Sequence, residues 1–305
     1  MRAAQVVELG APPVQVELRD GGSTRILAVA LNPLDLAVAA GRFYGGHPPL
    51  PYVPGCEAVG IRTGERVYLN GAGFGTGRDG FLLERTECPI AGAPVPDGLD
   101  DAQAAACGIA GMAGWAAVAR RSPVRPEDRV LVLGATGTVG SVAVQAARVL
   151  GAKRVVAAGR DPARLERALR LGADAAVELG GDDLRDRLRS ACGGEGPTLV
   201  VDMLWSEPLE AAVAAAAPGA RIVHVGQSAG PKAALLSADV RGKQLSFLGY
   251  TNFRLSEEEL ASIYGEIAGQ VTAGRITIDV KTFPLAEVAE AWAAQASGEK
   301  AVVVV

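Results

Sequence analysis

From Arg129 onward the chain alternates between two spacings of apolar residues. Val130–Leu133 is a short run that is apolar at every position, and Gly134-Ala-Thr-Gly137-Thr-Val-Gly140 follows it. Behind that loop, Val139, Val142, Ala143, Ala146, Val149 and Leu150 recur every three or four residues, the spacing of a helix with one buried face. Gly151 stands where a left-handed cap ends such a helix. A second apolar run, Arg154–Ala158, leads to Asp161-Pro162, a helix cap followed by a residue suited to the first helical position, and Gly172 stops that helix. The same reading predicts strands over 175–178, 198–202, 221–225 and 245–249, with helices near 183–191 and 207–217. Strands that are apolar along their whole length belong to a sheet covered on both faces. Six of them, joined by right-handed crossovers, predict a doubly wound parallel sheet of the Rossmann type. No internal repeat at a solenoid period is present.

The loop Gly134–Gly140 follows a predicted strand and opens a predicted helix, which gives its glycines a mechanism. Gly134, Gly137 and Gly140 permit a tight turn and a close approach of a pyrophosphate. The free N–H groups of Thr138 and Val139, beside Thr136, then face the anion along the helix dipole. The competing reading is a tight strand-to-helix turn without a ligand. A P-loop is excluded, because no Gly-Lys-Ser/Thr follows. The second strand chooses the dinucleotide. An NAD site needs a carboxylate about 20 residues on to hold the ribose hydroxyls. Here that position is Gly159, with Arg160 beside it and Arg164 one helical turn on. Loss of the carboxylate and gain of guanidinium groups favour a 2′-phosphate, hence NADP(H). The competing reading makes Arg160 and Arg164 solvated surface charges.

Residues 1–110 read differently, as short strands with many Gly and Pro and no strand–helix alternation. They contain Asn32-Pro33-Leu34-Asp35, Gly41-Arg42-Phe43-Tyr44, Pro51-Tyr52-Val53-Pro54-Gly55-Cys56-Glu57-Ala58-Val59-Gly60 and Gly64-Glu65-Arg66-Val67. A capping pair, Ser256 and Glu259, opens a helical stretch over 256–273, and short strands are expected over 277–283 and 301–305. Taken with the glycine loop and the closing Glu299-Lys300-Ala301-Val302-Val303, this order resembles the medium-chain dehydrogenase/reductase superfamily over nearly the whole chain. The nearest likeness is to its zinc-independent quinone oxidoreductase branch. The resemblance implies a mostly β, GroES-like catalytic domain formed from both chain ends (1–115 and 251–305), with the dinucleotide-binding domain (116–250) inserted between them. It implies that Asn32 orients the nicotinamide ribose or polarises the acceptor oxygen. Val225-Gly226-Gln227 and Leu248-Gly249-Tyr250 should face the nicotinamide, and Lys300 should contact the cofactor. It also implies a homodimer joined through edge strands.

Two departures stand out. Only Ile61-Arg62-Thr63 separates Gly60 from Gly64, so one hairpin is expected to be trimmed. The family's Gly-His-Glu reads Gly55-Cys56-Glu57. Zinc-dependent relatives carry a cysteine where Asn32 stands, a histidine at Cys56 and a cysteine that looks aligned with Cys107. A catalytic zinc needs three protein ligands, and an amide is a poor substitute for a thiolate. No metal is therefore expected, and Cys56 and Cys107 are read as small buried apolar residues. Cys88 and Cys192 carry no functional signal. His224, inside a predicted strand, is read as a packed core residue, and His47 as a loop residue. Tyr44 and Tyr52 are the local donors or stacking surfaces for a planar substrate, with core packing as their alternative role. Asp35 and Glu57 are read as structural hydrogen-bond acceptors. The loop Leu69–Gly77 is read as a plain surface connection.

Charge and composition narrow the partners. Thirty basic against 34 acidic residues give a net charge of −4, so no basic field points to nucleic acid. The N-terminus lacks the apolar stretch of a signal peptide and the longer apolar runs look too short to cross a bilayer, so a cytoplasmic protein is expected. Four cysteines without a C-x-x-C pair indicate neither a disulfide framework nor a zinc ribbon. Without a Lewis acid, the fitting acceptors are already activated ones, quinones and α,β-unsaturated carbonyls, reduced by hydride from NADPH. Two other functions stay open: a zinc-dependent alcohol dehydrogenase using Cys56 and Cys107, and an NADPH-binding redox sensor without turnover.

Overall fold

The computed structural model describes residues 1–19 and 21–305. The chain divides into two compact units, Ala113–Thr251 and the pair of segments Met1–Met112 and Asn252–Val305.

In the inserted unit the strands are β1 (Arg129–Leu133), β2 (Arg154–Gly159), β3 (Ala175–Glu178), β4 (Leu199–Asp202), β5 (Arg221–His224) and β6 (Ser246–Gly249). Helices α1 (Thr138–Val149), α2 (Pro162–Arg170), α3 (Leu184–Ala191), α4 (Ser206–Ala215) and a short α5 (Ser237–Gly242) connect them. The order across the sheet is β3-β2-β1-β4-β5-β6, all parallel. This is the doubly wound dinucleotide-binding order, whose ligands lie outside the carboxyl ends of the strands. The expected strands and helices are present to within two residues at each end. Leu131, Leu133, Val156, Val200 and Ile222 are shut away from solvent. Each contributes roughly 1.5–3 kcal/mol by burial, which is why unbroken apolar runs specify this sheet. Asp161 caps α2 as expected, accepting from the backbone N–H of Ala163 (3.0 Å) and Arg164 (3.2 Å). At the amino ends of the strands, Asp128 accepts from Arg125 N (2.7 Å), Thr198 Oγ1 (2.8 Å) and Arg221. Burial pushes its carboxyl up, but these donors outweigh that and hold it below the ordinary value.

The other unit is built from both chain ends around a mostly antiparallel sheet. Its strands run Lys281–Pro284, Ala301–Val304, Thr24–Ala30, Glu57–Arg62, Glu65–Asn70 and Ala93–Pro94, with Arg85–Thr86 paired to Thr24–Ala30. The C-terminal strand pairs antiparallel with the N-terminal segment, Val303 opposite Val29. A Rossmann sheet plus a GroES-like β unit is therefore the fold, as the sequence led us to expect. Glu57–Arg62 and Glu65–Asn70 form a tight hairpin turning at Thr63 and Gly64, both with positive φ. The helix Glu257–Thr272 carries the expected Ser256–Glu259 capping box.

Some expectations need correction. The strand expected over 277–283 is confined to Lys281–Pro284, because only there does the backbone pair with Ala301–Val304; Ile276 and Ile278 are buried without pairing in a sheet. Residues 1–110 are not strands alone, since Pro33–Ala39 and Asp101–Ala106 are helices. The helical stretch 101–121 is long and apolar enough to cross a membrane by length and composition, against the reading that no run is; most of it is buried within the protein.

The closeness of α1 to the loop before it generates a paired prediction. A Cβ at Gly140 would lie 2.2 Å from Gly134 O and 2.7 Å from Ala135 Cα, backbone atoms that cannot turn aside. At Gly137, φ is an ordinary −90° and the nearest atom would be 3.7 Å away. Gly140→Ala should lower unfolding free energy by about 1–3 kcal/mol. Gly137→Ala should leave it within about 0.5 kcal/mol, as an open surface substitution does. Urea melts of the two variants check this.

Candidate functional site

The first candidate is the crease at the carboxyl end of β1. Gly134 turns the chain with φ +80°, and the N–H groups of Gly134 and Ala135 both donate to Ala158 O (2.9 and 3.0 Å). Gly137 is the N-cap of α1 and no side chain caps that helix among the described residues. The N–H groups of Thr138 and Val139 are thus left for an anion, with the positive end of the helix dipole behind them. Thr136, Gly137, Thr138 and Val139 are all partly open to solvent.

At the end of β2, Gly159 is buried, and a Cβ there would fall 2.5 Å from Thr136 Cγ2. Thr136 thus occupies the space into which an acidic side chain at this position would grow. Arg160 is exposed, and Arg164 is half-buried with its Nε 3.5 Å from Asp161 Oδ2. Asp161 is spent on capping α2. The structure gathers Gly134, Thr136, Gly137, Thr138, Val139, Gly140, Gly159 and Arg160 at the carboxyl ends of β1 and β2. Val225, Gly226 and Gln227 follow the carboxyl end of β5, and Leu248, Gly249 and Tyr250 lie at that of β6.

His224 departs from its expected role. It is the last residue of β5 rather than an interior one, and its side chain is 30% exposed. Its Nδ1 lies 2.8 Å from Oδ2 of the fully buried Asp202, and its ring packs against Trp205. Asp202, which ends the run Leu199-Val-Val-Asp202, was the signal in the sequence that this strand end is not plain core.

The second candidate lies in the other unit, around Glu57. This carboxylate has no solvent exposure. Its Oε1 accepts from Asn32 Nδ2 (2.7 Å) and Lys300 Nζ (3.4 Å); its Oε2 accepts from Tyr68 Oη (2.8 Å) and from Ile109 N. The last contact exists because the helical segment breaks at Gly108 (φ −64°, ψ −124°) and starts again. Only glycine fits at that break, since a Cβ would stand 1.9 Å from Glu57 Oε2. Lys300 Nζ also donates to Leu31 O (2.9 Å) and Asn32 Oδ1 (2.8 Å), while Asn32 Nδ2 donates in addition to Ala30 O (3.2 Å). Asp35 is likewise a structural acceptor, taking Asn32 N (2.8 Å) and Cys56 N (2.9 Å), and burial pushes its carboxyl up.

Three expected site residues are therefore engaged elsewhere. Asn32 is 2% exposed with both ends of its amide committed, so it braces Glu57 and Lys300. Lys300 is 4% exposed with its ammonium spent inside the protein, so no proton remains for a cofactor phosphate. Tyr52 is 1% exposed and packs in the core, its hydroxyl walled in.

A catalytic zinc does not fit these residues. Burial pushes the Cys56 thiol well up and the Cys107 thiol to about 12, whereas zinc binds thiolates. The Lys300 ammonium already faces the neighbouring oxygens, Asn32 Oδ1 at 2.8 Å and Glu57 Oε1 at 3.4 Å. Among the described residues no three His, Cys, Asp or Glu side chains are grouped to hold a metal.

A cavity of about 360 Å³ opens in the same unit, lined among others by Phe43, Tyr44, Asn70, Thr76, Ile90 and Phe253. Tyr44 is 88% exposed, with its ring 4.5 Å from that of Phe43. The loop Leu69–Gly77 is more than a surface connection. Phe74 within it is buried on Phe81, and Asn70 Nδ2 donates to Cys56 O (2.9 Å), so its backbone forms one wall of the cavity. His47 stands in an exposed loop with Nδ1 2.7 Å from Pro48 O.

Comparison with known proteins agrees with this geometry. A family profile described as zinc-binding dehydrogenase matches residues 138–264. The quinone oxidoreductase of Thermus thermophilus, solved also in complex with NADPH, superposes with a TM-score of 0.81 at 29% identity, covering all of both chains. A structure described as an NAD-dependent alcohol dehydrogenase superposes with a TM-score of 0.85, also at 29% identity over both full chains. Among curated proteins, a phenolphthiocerol/phthiocerol polyketide synthase of Mycobacterium tuberculosis is 29% identical over 295 residues, 92% of this chain. The chain spans only 13% of that protein's length. In sequence and in fold the chain is similar to the medium-chain dehydrogenase/reductase superfamily. Within the superfamily it is similar to the quinone oxidoreductases.

The buried centre yields a stability prediction. Removing one partner of a buried, hydrogen-bonded ion pair costs about 3–5 kcal/mol, while replacing both is far milder. Lys300→Met should destabilise by that amount, and Glu57→Gln combined with Lys300→Met should recover part of it. Denaturant melts decide; a loss below about 1 kcal/mol for Lys300→Met would mean that the pair carries no such weight.

Proposed function

We propose that the protein reduces a quinone or an α,β-unsaturated carbonyl with NADPH and without zinc. The observation that carries this reading is the crease: an uncapped α1 N-terminus next to a β2 end that offers Arg160 in place of a carboxylate. A bound NADPH supplies hydride from its nicotinamide ring. In this reading the N–H groups of Thr138 and Val139 hold the pyrophosphate, Arg160 takes the 2′-phosphate with Arg164 behind it, and Gly137 lets the backbone approach. Val225–Gln227 and Leu248–Tyr250 bound the nicotinamide half.

The acceptor class follows from electrostatics. Making an alkoxide from an ordinary alcohol near neutral pH needs a strong Lewis acid or base. The Asn32–Glu57–Lys300 centre binds its own cation and has no thiolate to offer. Hydrogen-bond donors alone stabilise developing charge by only a few kcal/mol each. That suffices for acceptors whose product oxyanion is delocalised from the outset. We assign the cavity beside Phe43, Tyr44 and Phe253 to a planar acceptor, with Tyr44 supplying both a stacking ring and a hydroxyl donor.

Initial rates with NADPH and NADH across a small panel of quinones and enones test the proposal. We expect consumption with NADPH preferred, and Arg160→Ala should cut that preference about ten- to a hundredfold, the worth of one charge-assisted contact. A preference that survives Arg160→Ala would refute the assignment of Arg160. Cofactor binding with no turnover on any acceptor would favour the sensor.

A further inference from the structure

We propose that His224 is a further ligand-contacting residue. Its Nδ1 is committed to Asp202, and its Nε2 accepts a hydrogen bond from the nicotinamide–ribose half of the bound dinucleotide. The inference rests on the NADPH reading above and deepens it by a residue.

A carboxylate shut away from water must have its oxygens satisfied. Asp202 Oδ1 accepts from Leu204 N (2.9 Å) and Trp205 N (3.0 Å), and Oδ2 faces His224 Nδ1 at 2.8 Å. An ionised carboxylate only accepts, so Nδ1 carries the proton, and in the neutral ring Nε2 carries the lone pair. The face of the ring is fixed too, with the Trp205 centroid 4.3 Å away at 51°. Trp205 reaches that position through an unusual backbone. It and Ser206 have φ of +61° and +56°, a conformation that side-chain-bearing residues keep only where the surroundings impose it. The N–H groups of Leu204 and Trp205, both bonded to Asp202 Oδ1, anchor the start of this turn. The ring is thus held at one edge and one face, while part of the side chain stays open to solvent. Among the described residues its Nε2 has no hydrogen-bond partner.

Position says what that nitrogen meets. Leu133, Asp202 and His224 stand level across β1, β4 and β5. With strands roughly 4.8 Å apart, the His224 backbone lies about 10 Å along the carboxyl edge from the residue preceding the crease. A dinucleotide with its pyrophosphate at the N-terminus of α1 extends along that edge in both directions. Its 2′-phosphate end runs toward Arg160 after β2, so its other half runs over β4 and β5. The hydroxyl and amide donors of that half are the groups that match an outward lone pair.

The test compares NADPH with adenosine 2′,5′-bisphosphate, which has only the adenosine half, by titration calorimetry on the full chain. His224→Asn keeps a donor for Asp202 and removes the outward nitrogen. It should weaken NADPH about three- to tenfold, the worth of one neutral hydrogen bond, and leave the bisphosphate unchanged. Unchanged NADPH affinity, or equal losses for both ligands, overturns the proposal. If the wild-type protein binds neither ligand, the NADPH reading fails and the inference with it. A second measurement needs no variant of His224. The chain has two histidines, so 15N-histidine labelling with His47→Ala for assignment isolates the His224 ring signals. NADPH should shift its Nε2 resonance and the bisphosphate should not; an Nε2 signal that ignores bound NADPH overturns the proposal.

Discussion

A carboxylate that no water can reach has to be satisfied from every side, and Glu57 organises its half of the molecule by that demand. Four donors converge on it from four separate parts of the chain: Asn32, Tyr68, the broken helix at Ile109 and Lys300. Lys300 is 268 residues from Asn32 in sequence, yet its ammonium touches Leu31, Asn32 and Glu57 together. The closing strand of the chain is thereby fixed to the strand Thr24–Ala30 by charge as well as by the Val303–Val29 register. The helix break at Gly108 and the stacked Tyr68–Tyr264 pair are built around the same oxygen atoms.

The same centre sets the chemistry that we propose. Where the resemblance raised the question of a metal, this chain has an amide, two thiols whose ionisation burial disfavours, and an internal cation. The positive charge that balances Glu57 belongs to the protein and is fully hydrogen-bonded, so it is not available to polarise a substrate oxygen. A site of this kind favours acceptors that need little electrophilic help, and it places the burden on holding donor and acceptor in register.

In the inserted unit the governing constraint is parallelism. Six parallel strands bring their carboxyl ends to a single edge, and the groups to which we assign the dinucleotide stand on it. The uncapped helix start, Gly159 under Thr136, Arg160 and the Asp202–His224 pair occupy neighbouring strand ends. Strain at Trp205 and Ser206, worth roughly 1–3 kcal/mol per residue, is also stored on this edge.

The alternation of apolar runs in the sequence determined the doubly wound sheet, because a strand covered on both faces has to be apolar at each position and its neighbours set that requirement. Asp161-Pro162 and Ser256–Glu259 likewise acted as caps, since capping is a contact within one turn. The family resemblance located Asn32, Cys56 and Lys300 as positions of interest. It did not reveal what their side chains bond, and two residues expected at the cofactor or substrate proved to be internal braces. The segment 101–121, rich in Ala and Gly, shows little periodicity because most of it is buried, and so its helices were not legible. His224 looked like core from its neighbours alone. Only the tertiary structure brought Asp202 across from the next strand, Thr136 over Gly159 and Lys300 against Glu57. Each of these partners is distant in the chain, and a hydrogen bond between distant residues leaves no local pattern to read.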